Sequence, residues 1–410
     1  MNYFPVITTS LGGIGLFLVG MWLMTDGLKL AAGNALRDIL FSWTNSRLRG
    51  LSTGFMITGI VQASGAVTVA TIGFANAGLL SLEQAIWVIF GSNLGTTMTS
   101  WIVALLGFKL NIEYFALPLI GVGMIIRLTG SSNRLSAIGQ AIVGFGLFFL
   151  GISVLKDGFT GYLADFTLPG AETAGLQIIV LYLLFGIVMT TLMQSSSAAM
   201  IITLGAAESG LIPLSSAAAV VIGANLGTTT IAIISVWGAT STAKRVAASH
   251  VLFNLITASI AIIIMVPMLN LVAYIQALMQ LSETPAMTLA LFHTAFNLLG
   301  ILLMWPLSSR LLVILNRLFI ESPTTTGKPV YIDRPSLEVP AVAMEALIKE
   351  LDHTGLQALH STQEIINRGD GAGGSSGLSP LITEIGDFVA QLSRKDLPEK
   401  IAQSLPSVIQ

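Results

Sequence analysis

Residues 194–229 read QSSSAAMIITLGAAESGLIPLSSAAAVVIGANLGTT, and a variant of this stretch stands 132 residues earlier, where residues 62–97 read QASGAVTVATIGFANAGLLSLEQAIWVIFGSNLGTT. The two stretches align without a gap, and 17 of their 36 positions are identical. Upstream of each, GIGLFLVGMWLMTDG from Gly13 matches GFGLFFLGISVLKDG from Gly144. Because two blocks recur in the same order, the sequence predicts an internal duplication.

The composition predicts a protein of the lipid bilayer. Only 10% of the 410 residues are charged and 53% are hydrophobic, whereas soluble domains carry about 25% charged residues. A net charge of −2 argues against a nucleic-acid-binding surface, and the absence of cysteine excludes disulfides and thiolate chemistry. The N-terminal apolar run continues past Met24 without a basic leader, so we expect a retained first span rather than a cleaved signal peptide.

Seven apolar segments have about the 20 residues that crossing a hydrocarbon core requires. They lie near residues 5–28, 84–106, 112–130, 136–157, 213–236, 245–267 and 286–308. Two further stretches, 51–80 and 175–212, are interrupted by polar clusters at 62–65 and 194–197. Irregular backbone at membrane depth is tolerated only where it is buried or lines a cavity. We therefore expect each stretch to be a re-entrant pair of half-helices that meet at its cluster.

The basic residues predict the orientation, since lysine and arginine concentrate in cytoplasmic loops. If the first span ends in the cytoplasm, the cytoplasmic side holds Lys29, Arg37, Arg47, Arg49, Arg127, Arg134, Lys244, Arg245, Arg310 and Arg317. The hairpin at 51–80 then enters from the cytoplasm and the hairpin at 175–212 from outside. The predicted fold class is an all-α integral membrane protein of two inverted repeats, each with a re-entrant helical hairpin and a broken transmembrane helix. Many secondary transporters share this layout.

The chain divides into a membrane domain, a linker and a C-terminal segment. We predict a transmembrane domain over residues 1–320, with repeat one at about 5–130, repeat two at about 136–267 and a final span at 286–308. Residues 321–335 resemble a linker. Helical periodicity over 336–369 and 378–403 predicts a small cytoplasmic helical hairpin within 336–410. Two helices bury little core alone, so this hairpin should dock or self-associate, which leaves a homo-oligomer open.

The polar clusters are the candidate binding site. Amide and hydroxyl oxygens at a helix break, such as those of Gln194 and Ser195, are suitable ligands for sodium. The helix that follows each break points its N-terminal N–H groups into the same place, where they favour an anion. The alternative is serine that bonds back to the backbone of an ordinary helix. The occurrence of an equivalent cluster in both repeats favours the binding site.

The two Gly-x-Asn-Leu-Gly-Thr-Thr runs add a second set of oxygens. Asn93, Thr96, Asn225 and Thr228 can face the hairpin tips, because two glycines weaken each helix around its asparagine. The alternative is close helix packing, with the asparagine as an interhelical hydrogen-bonding group.

Two further pairs of residues occupy matching positions. Asp26 and Asp157 could bind a cation, or they could simply reach the membrane interface. His250 and His293 each precede an asparagine by one helical turn, at Asn254 and Asn297. Interhelical hydrogen bonding is the favoured interpretation of these histidines. No signature of an enzyme is present, and we expect none.

The paired Q-S-S-S and G-x-N-L-G-T-T motifs, with ALFHTAFNLLGILLMWP at 290–306, resemble the type II sodium–phosphate cotransporter family, most closely its bacterial members. The resemblance covers residues 10–308. It implies sodium-coupled uptake of inorganic phosphate across the bacterial inner membrane, with sodium as coupling ion and no organic cofactor. The implied phosphate site comprises Ser64, Gly65, Thr97, Ser195, Ser196, Ser197 and Thr229. The implied sodium ligands are Asp26, Gln62, Asn93, Thr96, Gln194, Asn225 and Thr228.

One departure from the family pattern bears on this site. The first repeat has Ala63 and Gly65 where the second has serines, which puts the number of sodium ions bound there in doubt. The C-terminal segment resembles a shortened PhoU-like regulator. Two alternatives stay open: a sodium-coupled transporter of another small anion, such as sulfate or a dicarboxylate, and a phosphate-responsive membrane receptor.

Overall fold

The structure, a computed structural model, describes residues 4–32, 39–40, 42–107, 113–163, 175–237, 239–319, 329–333, 335–338, 340–368, 378–395, 397 and 399–409. Over these residues the protein is helical and contains no strand. Seven of the described helices are long and apolar enough to cross a membrane. The molecule is therefore an all-α, multi-pass membrane protein, as the composition predicts. Most of the linker at 321–335 lies outside the described residues.

Seventeen α-helices make up the described chain, and short 3₁₀ and π turns accompany them. Repeat one contains α1 (Phe4–Ala32), α2 (Arg47–Val61), α3 (Ser64–Asn76), α4 (Leu82–Gly95), α5 (Thr97–Ile102) and α6 (Glu113–Thr129). Repeat two contains α7 (Asn133–Leu163), α8 (Leu176–Met193), α9 (Ser196–Glu208), α10 (Leu214–Gly227), α11 (Thr229–Ser235) and α12 (Ser241–Ile263). There follow α13 (Met265–Leu278), α14 (Pro285–Leu318), α15 (Pro340–Arg368), α16 (Leu378–Ser393) and α17 (Glu399–Ile409).

Each interrupted stretch forms two helices that meet at its glutamine. The first hairpin consists of α2 and α3 and turns at Gln62, and the second consists of α8 and α9 and turns at Gln194. Both glutamines adopt the left-handed conformation, with φ of 58° and 51°. A left-handed residue ends an α-helix, because the next N–H can no longer continue the ladder. The same residue thus ends the outer helix in both repeats.

The predicted break in the helix after each hairpin is milder than expected. Thr96 separates α4 from α5 and Thr228 separates α10 from α11, yet both keep right-handed helical backbone angles. The Thr99 N–H bonds to the Thr96 carbonyl at 3.2 Å, a tighter pattern than in a regular α-helix. Each pair therefore forms one span with a local kink.

The long helices α1 and α7 pack against each other along most of their length, at glycines that the repeat places in both. A Cβ atom on Gly20 would lie 2.2 Å from the backbone nitrogen of Phe148. Only glycine permits such a close approach of two helix backbones. Helix α6 packs on the same pair from α7.

Helix α14 relates the two hairpins in space. The Ala286 N–H at its beginning donates to Glu208 at 3.0 Å, and Glu208 ends α9 of the second hairpin. Near its other end, Ser309 accepts from Arg47, which begins α2 of the first hairpin, at 3.2 Å. The 34 residues of α14 span about 51 Å at 1.5 Å per residue. The bases of the two hairpins therefore lie toward opposite ends of a spanning helix, as an inverted repeat requires.

The C-terminal segment contains three helices, α15 to α17, where the sequence predicts two. The additional helix α17 begins at Glu399, close to the end of the second predicted helical stretch. The segment packs on α3: Lys349 donates to the Ala77 carbonyl at 2.7 Å, and Asn76 donates to the Tyr331 carbonyl at 2.9 Å. The first hairpin and the C-terminal helices thereby share one apolar core.

Glu350 fixes the start of this segment. Its side chain is fully buried and accepts the backbone N–H groups of Val330, Tyr331 and Ile332, at 2.6–3.2 Å. Its second carboxylate oxygen lies 3.1 Å from His353. One carboxylate therefore ties the chain before the 3₁₀ turn at Pro335–Glu338 to α15.

Candidate functional site

The tips of the two hairpins face one cavity of about 300 Å³. The first hairpin contributes residues 62–66 to its lining and the second contributes residues 193–197. Thr228 and Ile231 also line it, as do four residues of α1, namely Met21, Trp22, Thr25 and Lys29. The fold thus brings together two polar clusters that stand 132 residues apart in sequence.

The inner helix of each hairpin begins at this cavity. Helix α3 begins at Ser64 and α9 at Ser196, so both direct N-terminal N–H groups toward it. Ser195 Oγ accepts the Ala198 N–H at 3.2 Å as a cap, whereas Ala63 gives α3 no side-chain cap. A helix N-terminus carries about half a positive elementary charge. Two such ends at one cavity favour an anion.

A chain of polar groups joins the hairpin tips beside the cavity. Thr99 Oγ1 donates to Gln62 Oε1 at 2.6 Å and lies 3.3 Å from Ser197 Oγ. Gln62 belongs to the first hairpin and Ser197 to the second, and all three side chains are buried. Neutral oxygens in such an arrangement are the kind that transporters use for an alkali cation.

The duplication does not reproduce this chain on the other side. A shift of 132 residues carries Thr99 to Ile231 and relates Ser197 to Gly65. A Cβ atom on Gly65 would lie 3.0 Å from Ile231 Cδ1, which is closer than ordinary van der Waals contact. Gly65 therefore leaves the space that Ile231 fills, and the departure from Q-S-S-S in the first repeat has a packing reason.

The structure brings eight of the predicted site residues to the cavity and leaves six outside its lining. The lining includes Gln62, Ser64, Gly65, Gln194, Ser195, Ser196, Ser197 and Thr228. The residues outside it are Asp26, Asn93, Thr96, Thr97, Asn225 and Thr229.

The threonines outside the lining bond to their own helices. Thr96 Oγ1 donates to the Asn93 carbonyl at 2.5 Å, and Thr97 Oγ1 donates to the Leu94 carbonyl at 2.8 Å. Thr229 makes the same bond in repeat two, at 2.7 Å. Threonine that bonds back in this way bends a helix, which accounts for the kinks.

The two asparagines of the Gly-x-Asn-Leu-Gly-Thr-Thr runs face the two histidines. Asn93 Oδ1 lies 3.0 Å from His250 Nε2, and Asn225 Oδ1 lies 3.3 Å from His293 Nε2. His293 Nδ1 also lies 3.0 Å from Ser100 Oγ. The predicted interhelical role of the histidines thus agrees with the contacts, which connect α12 to repeat one and α14 to repeat two.

Asp26 lies beside the cavity but turns away from it. Its carboxylate accepts from Gln140 Nε2 at 2.7 Å, and this bond joins α1 to α7. Asp157 does not line the cavity either. In this conformation the Asp26 carboxylate thus bonds to α7.

Sequence reasoning missed Thr99, Ile231 and the four residues of α1. Thr99 and Ile231 follow the aligned stretches by only two positions, so extending the alignment would have revealed the contrast between them. The face of α1 gives no such signal, because its residues are mostly apolar and lie in an ordinary span.

Comparisons with known proteins agree with this geometry. A model of the Na+/Pi-cotransporter family matches residues 16–157 and 177–305. The chain is 33% identical over 304 residues to the uncharacterized protein YqeW of Bacillus subtilis, a match that covers 72% of this chain and 92% of YqeW. No solved structure matches the chain significantly.

Two further relatives carry names that mention phosphate. The chain is 25% identical over 355 residues to the putative inorganic phosphate export protein YjbB of Salmonella typhimurium, which covers 84% of this chain but 62% of YjbB. This chain therefore spans less than two thirds of YjbB. It is 34% identical over 102 residues to sodium-dependent phosphate transport protein 2A of Rattus norvegicus, which covers 24% of this chain and 16% of that protein. Because the family model includes both hairpins and both Gly-x-Asn-Leu-Gly-Thr-Thr runs, the chain belongs to the Na+/Pi-cotransporter family.

Proposed function

We propose that this protein is a symporter that takes up inorganic phosphate together with sodium across the bacterial inner membrane. The observation that supports it most is the cavity between the hairpin tips, where serine hydroxyls and two helix N-termini converge. An anion with several oxygens suits such a site, because it can accept hydrogen bonds from several directions at once. Membership of the Na+/Pi-cotransporter family supports the same substrate.

We assign phosphate to the hydroxyls and N–H groups at the two inner helix starts. Ser64 and Gly65 act from the first hairpin, and Ser195, Ser196 and Ser197 act from the second. The second hairpin offers more hydroxyls, so we expect it to contribute more of the affinity. Thr97 and Thr229 stay predictions, since their hydroxyls are bonded to their own helices in this conformation.

We assign sodium to neutral oxygens beside the phosphate. Gln62, Gln194 and Thr228 line the cavity and carry amide or hydroxyl oxygens. Asp26, Asn93, Thr96 and Asn225 stay predictions for a cation position outside the cavity. Each net positive charge carried inward contributes about 2.3 kcal/mol per 100 mV. At about 1.4 kcal/mol per tenfold ratio, this sustains roughly fiftyfold phosphate accumulation.

Uptake into proteoliposomes tests the proposal. Radiolabelled phosphate should accumulate when sodium is high outside and should leave preloaded vesicles when the sodium gradient is reversed. Accumulation that ignores sodium would contradict the coupling, and outward movement against an inward sodium gradient would favour export, the direction named for YjbB. Ser196→Ala should abolish uptake, whereas Ser209→Ala, at the far end of α9 and outside the cavity lining, should not.

A receptor is the second candidate, and the docked C-terminal helices favour it. They contact α3, whose first turn lies at the cavity, so occupancy of the site could be sensed by them. A receptor would bind phosphate without carrying it across the bilayer. Binding in detergent without uptake in vesicles would therefore support the receptor. Competition by unlabelled sulfate or succinate in the same assay tests whether another anion is the substrate.

A further inference from the structure

Lys29 gives the cavity a formal positive charge. Among the sixteen described residues that line the cavity, it alone carries a formal charge. Asp26, three positions earlier, is absent from the lining, and its carboxylate bonds to Gln140 on α7. The formal charge and the two helix N-termini therefore have the same sign, and the cavity is an anion site by charge as well as by hydrogen-bonding groups.

Lys29 ends a stripe on the face of α1 that the cavity uses. Met21, Trp22, Thr25 and Lys29 follow one another at spacings of one, three and four residues, which places them on one side of the helix. Met21 Sδ lies 3.7 Å from Ser195 Oγ at the second hairpin tip. Lys29 lies eight residues further on, in the last turn of α1, about 12 Å along the axis. The stripe thus runs from a hairpin tip to an exposed ammonium group.

The duplication supplies no second ammonium group at the matching position. The shift that relates Asp26 to Asp157 carries Lys29 to Thr160. Lys156, the nearest basic residue in that part of repeat two, does not line the cavity. The formal charge is therefore a feature of one wall only.

We propose that Lys29 selects the anion: its ammonium group attracts the incoming phosphate and donates to its oxygens at the α1 side of the cavity. This inference rests on the proposed function, since it concerns the same cavity. An ammonium group is a compact charge with three donors, which suits a phosphate oxygen. Hydroxyls and helix N-termini accept any small oxyanion, whereas a formal charge adds a preference for the anion with more negative charge.

Replacement of Lys29 with residues of similar length tests the proposal. Lys29→Met removes the charge and keeps the aliphatic stem, and Lys29→Arg keeps the charge. We expect Lys29→Met to raise KM for phosphate about tenfold, the effect of losing one charge-assisted hydrogen bond. The maximal rate should change by less than about twofold. Lys29→Arg should stay close to the native KM, and Lys156→Met is the matched control that should leave it unchanged.

Sodium and salt dependence separate this role from a structural one. Because an ammonium group repels sodium, Lys29→Met should leave the half-saturating sodium concentration unchanged or lower. The difference in phosphate KM between the native protein and Lys29→Met should shrink as ionic strength rises, since mobile ions screen the charge. An unchanged KM in Lys29→Met would overturn the proposal, as would an equal loss in Lys29→Arg.

A binding measurement keeps the two proposals distinct. If the native protein takes up no phosphate, the proposed function fails, and equilibrium binding of radiolabelled phosphate and sulfate to the detergent-solubilised protein still tests Lys29. Weaker binding of either anion by Lys29→Met than by Lys156→Met would support an anion-selecting lysine. Equal binding by the two variants would refute it.

Discussion

Gln62 and Gln194 carry two functions in one residue, a backbone turn and a side-chain amide at the cavity. Their positive φ angles are costly for any residue except glycine, by about 1–2 kcal/mol for a side chain without polar groups. Nevertheless glutamine stands at both positions. The amide must therefore contribute something that glycine would lack, and Thr99 donating to Gln62 Oε1 shows one such contact.

Substitution of Gln194 separates the two functions. Gln194→Gly and Gln194→Ala both remove the amide, so both should abolish sodium-dependent phosphate uptake. Glycine accepts φ of 51°, whereas alanine is strained there by about 1–2 kcal/mol. Thermal unfolding in detergent should therefore find Gln194→Ala less stable than Gln194→Gly, with equal loss of uptake. Normal uptake by Gln194→Gly would remove the amide from the site.

The contrast between Thr99 and Ile231 can also be tested at single residues. Gly65→Ser alone should reduce uptake, because its Cβ would lie 3.0 Å from Ile231 Cδ1. Adding Ile231→Thr removes the crowding and supplies oxygens equivalent to those of Thr99 and Ser197. We expect the double variant to recover uptake with a lower half-saturating sodium concentration. No recovery would mean that the second side of the cavity cannot be converted to the first.

At the scale of elements, the 3₁₀ turn after the membrane domain depends on a buried carboxylate. Asp333 Oδ1 accepts the Ser336 N–H at 2.9 Å, whereas Oδ2 is buried without a partner. Burial raises the pKa of Asp333 from 3.8 to about 6, although the hydrogen bonds from Ser336 act in the opposite direction. The folded segment therefore holds a proton that the unfolded segment releases at lower pH.

This shift predicts a pH dependence of the C-terminal segment. Between pH 3.8 and about 6 the folded state binds more protons, so the segment loses stability as pH rises through this window and stays less stable above it. Hydrogen exchange over residues 329–338, corrected for intrinsic rates, should show less protection at pH 7.5 than at pH 5. Asp333→Asn should be better protected at pH 7.5 and respond less to pH. An equal pH response in the native protein and the variant would contradict the burial argument.

At the scale of the whole molecule, the inverted arrangement can be tested by labelling, because the chain has no cysteine. Asn45→Cys lies just before the first hairpin, and Gly175→Cys lies at the start of the second. An impermeant thiol reagent should label the first only from the cytoplasmic side and the second only from outside. Gly50 is less suitable, because a Cβ there would lie 3.0 Å from Trp87 Cβ. Labelling of both cysteines from one face would refute the arrangement.

The sequence predicts the membrane class and the hairpin turns well, because both follow from local chemistry. Polar clusters within apolar runs locate Gln62 and Gln194, where the structure places the turns. It does not predict that Lys29 lines the cavity, since nothing in the spacing of α1 indicates which face meets the hairpins. The docking of Lys349 on Ala77 is equally hidden, because it joins positions 272 residues apart. Long-range contacts of this kind depend on the assembled fold.

The attachment of the C-terminal helices to α3 has a consequence for the populations of the access states. Any movement that separates α3 from these helices breaks the bonds of Lys349 to Ala77 and of Asn76 to Tyr331. At about 1 kcal/mol each, two bonds change the ratio of attached to detached states by roughly thirtyfold. A near-symmetric pair of repeats would otherwise occupy both access states comparably. The resting state of the transporter is then weighted from its C-terminal end.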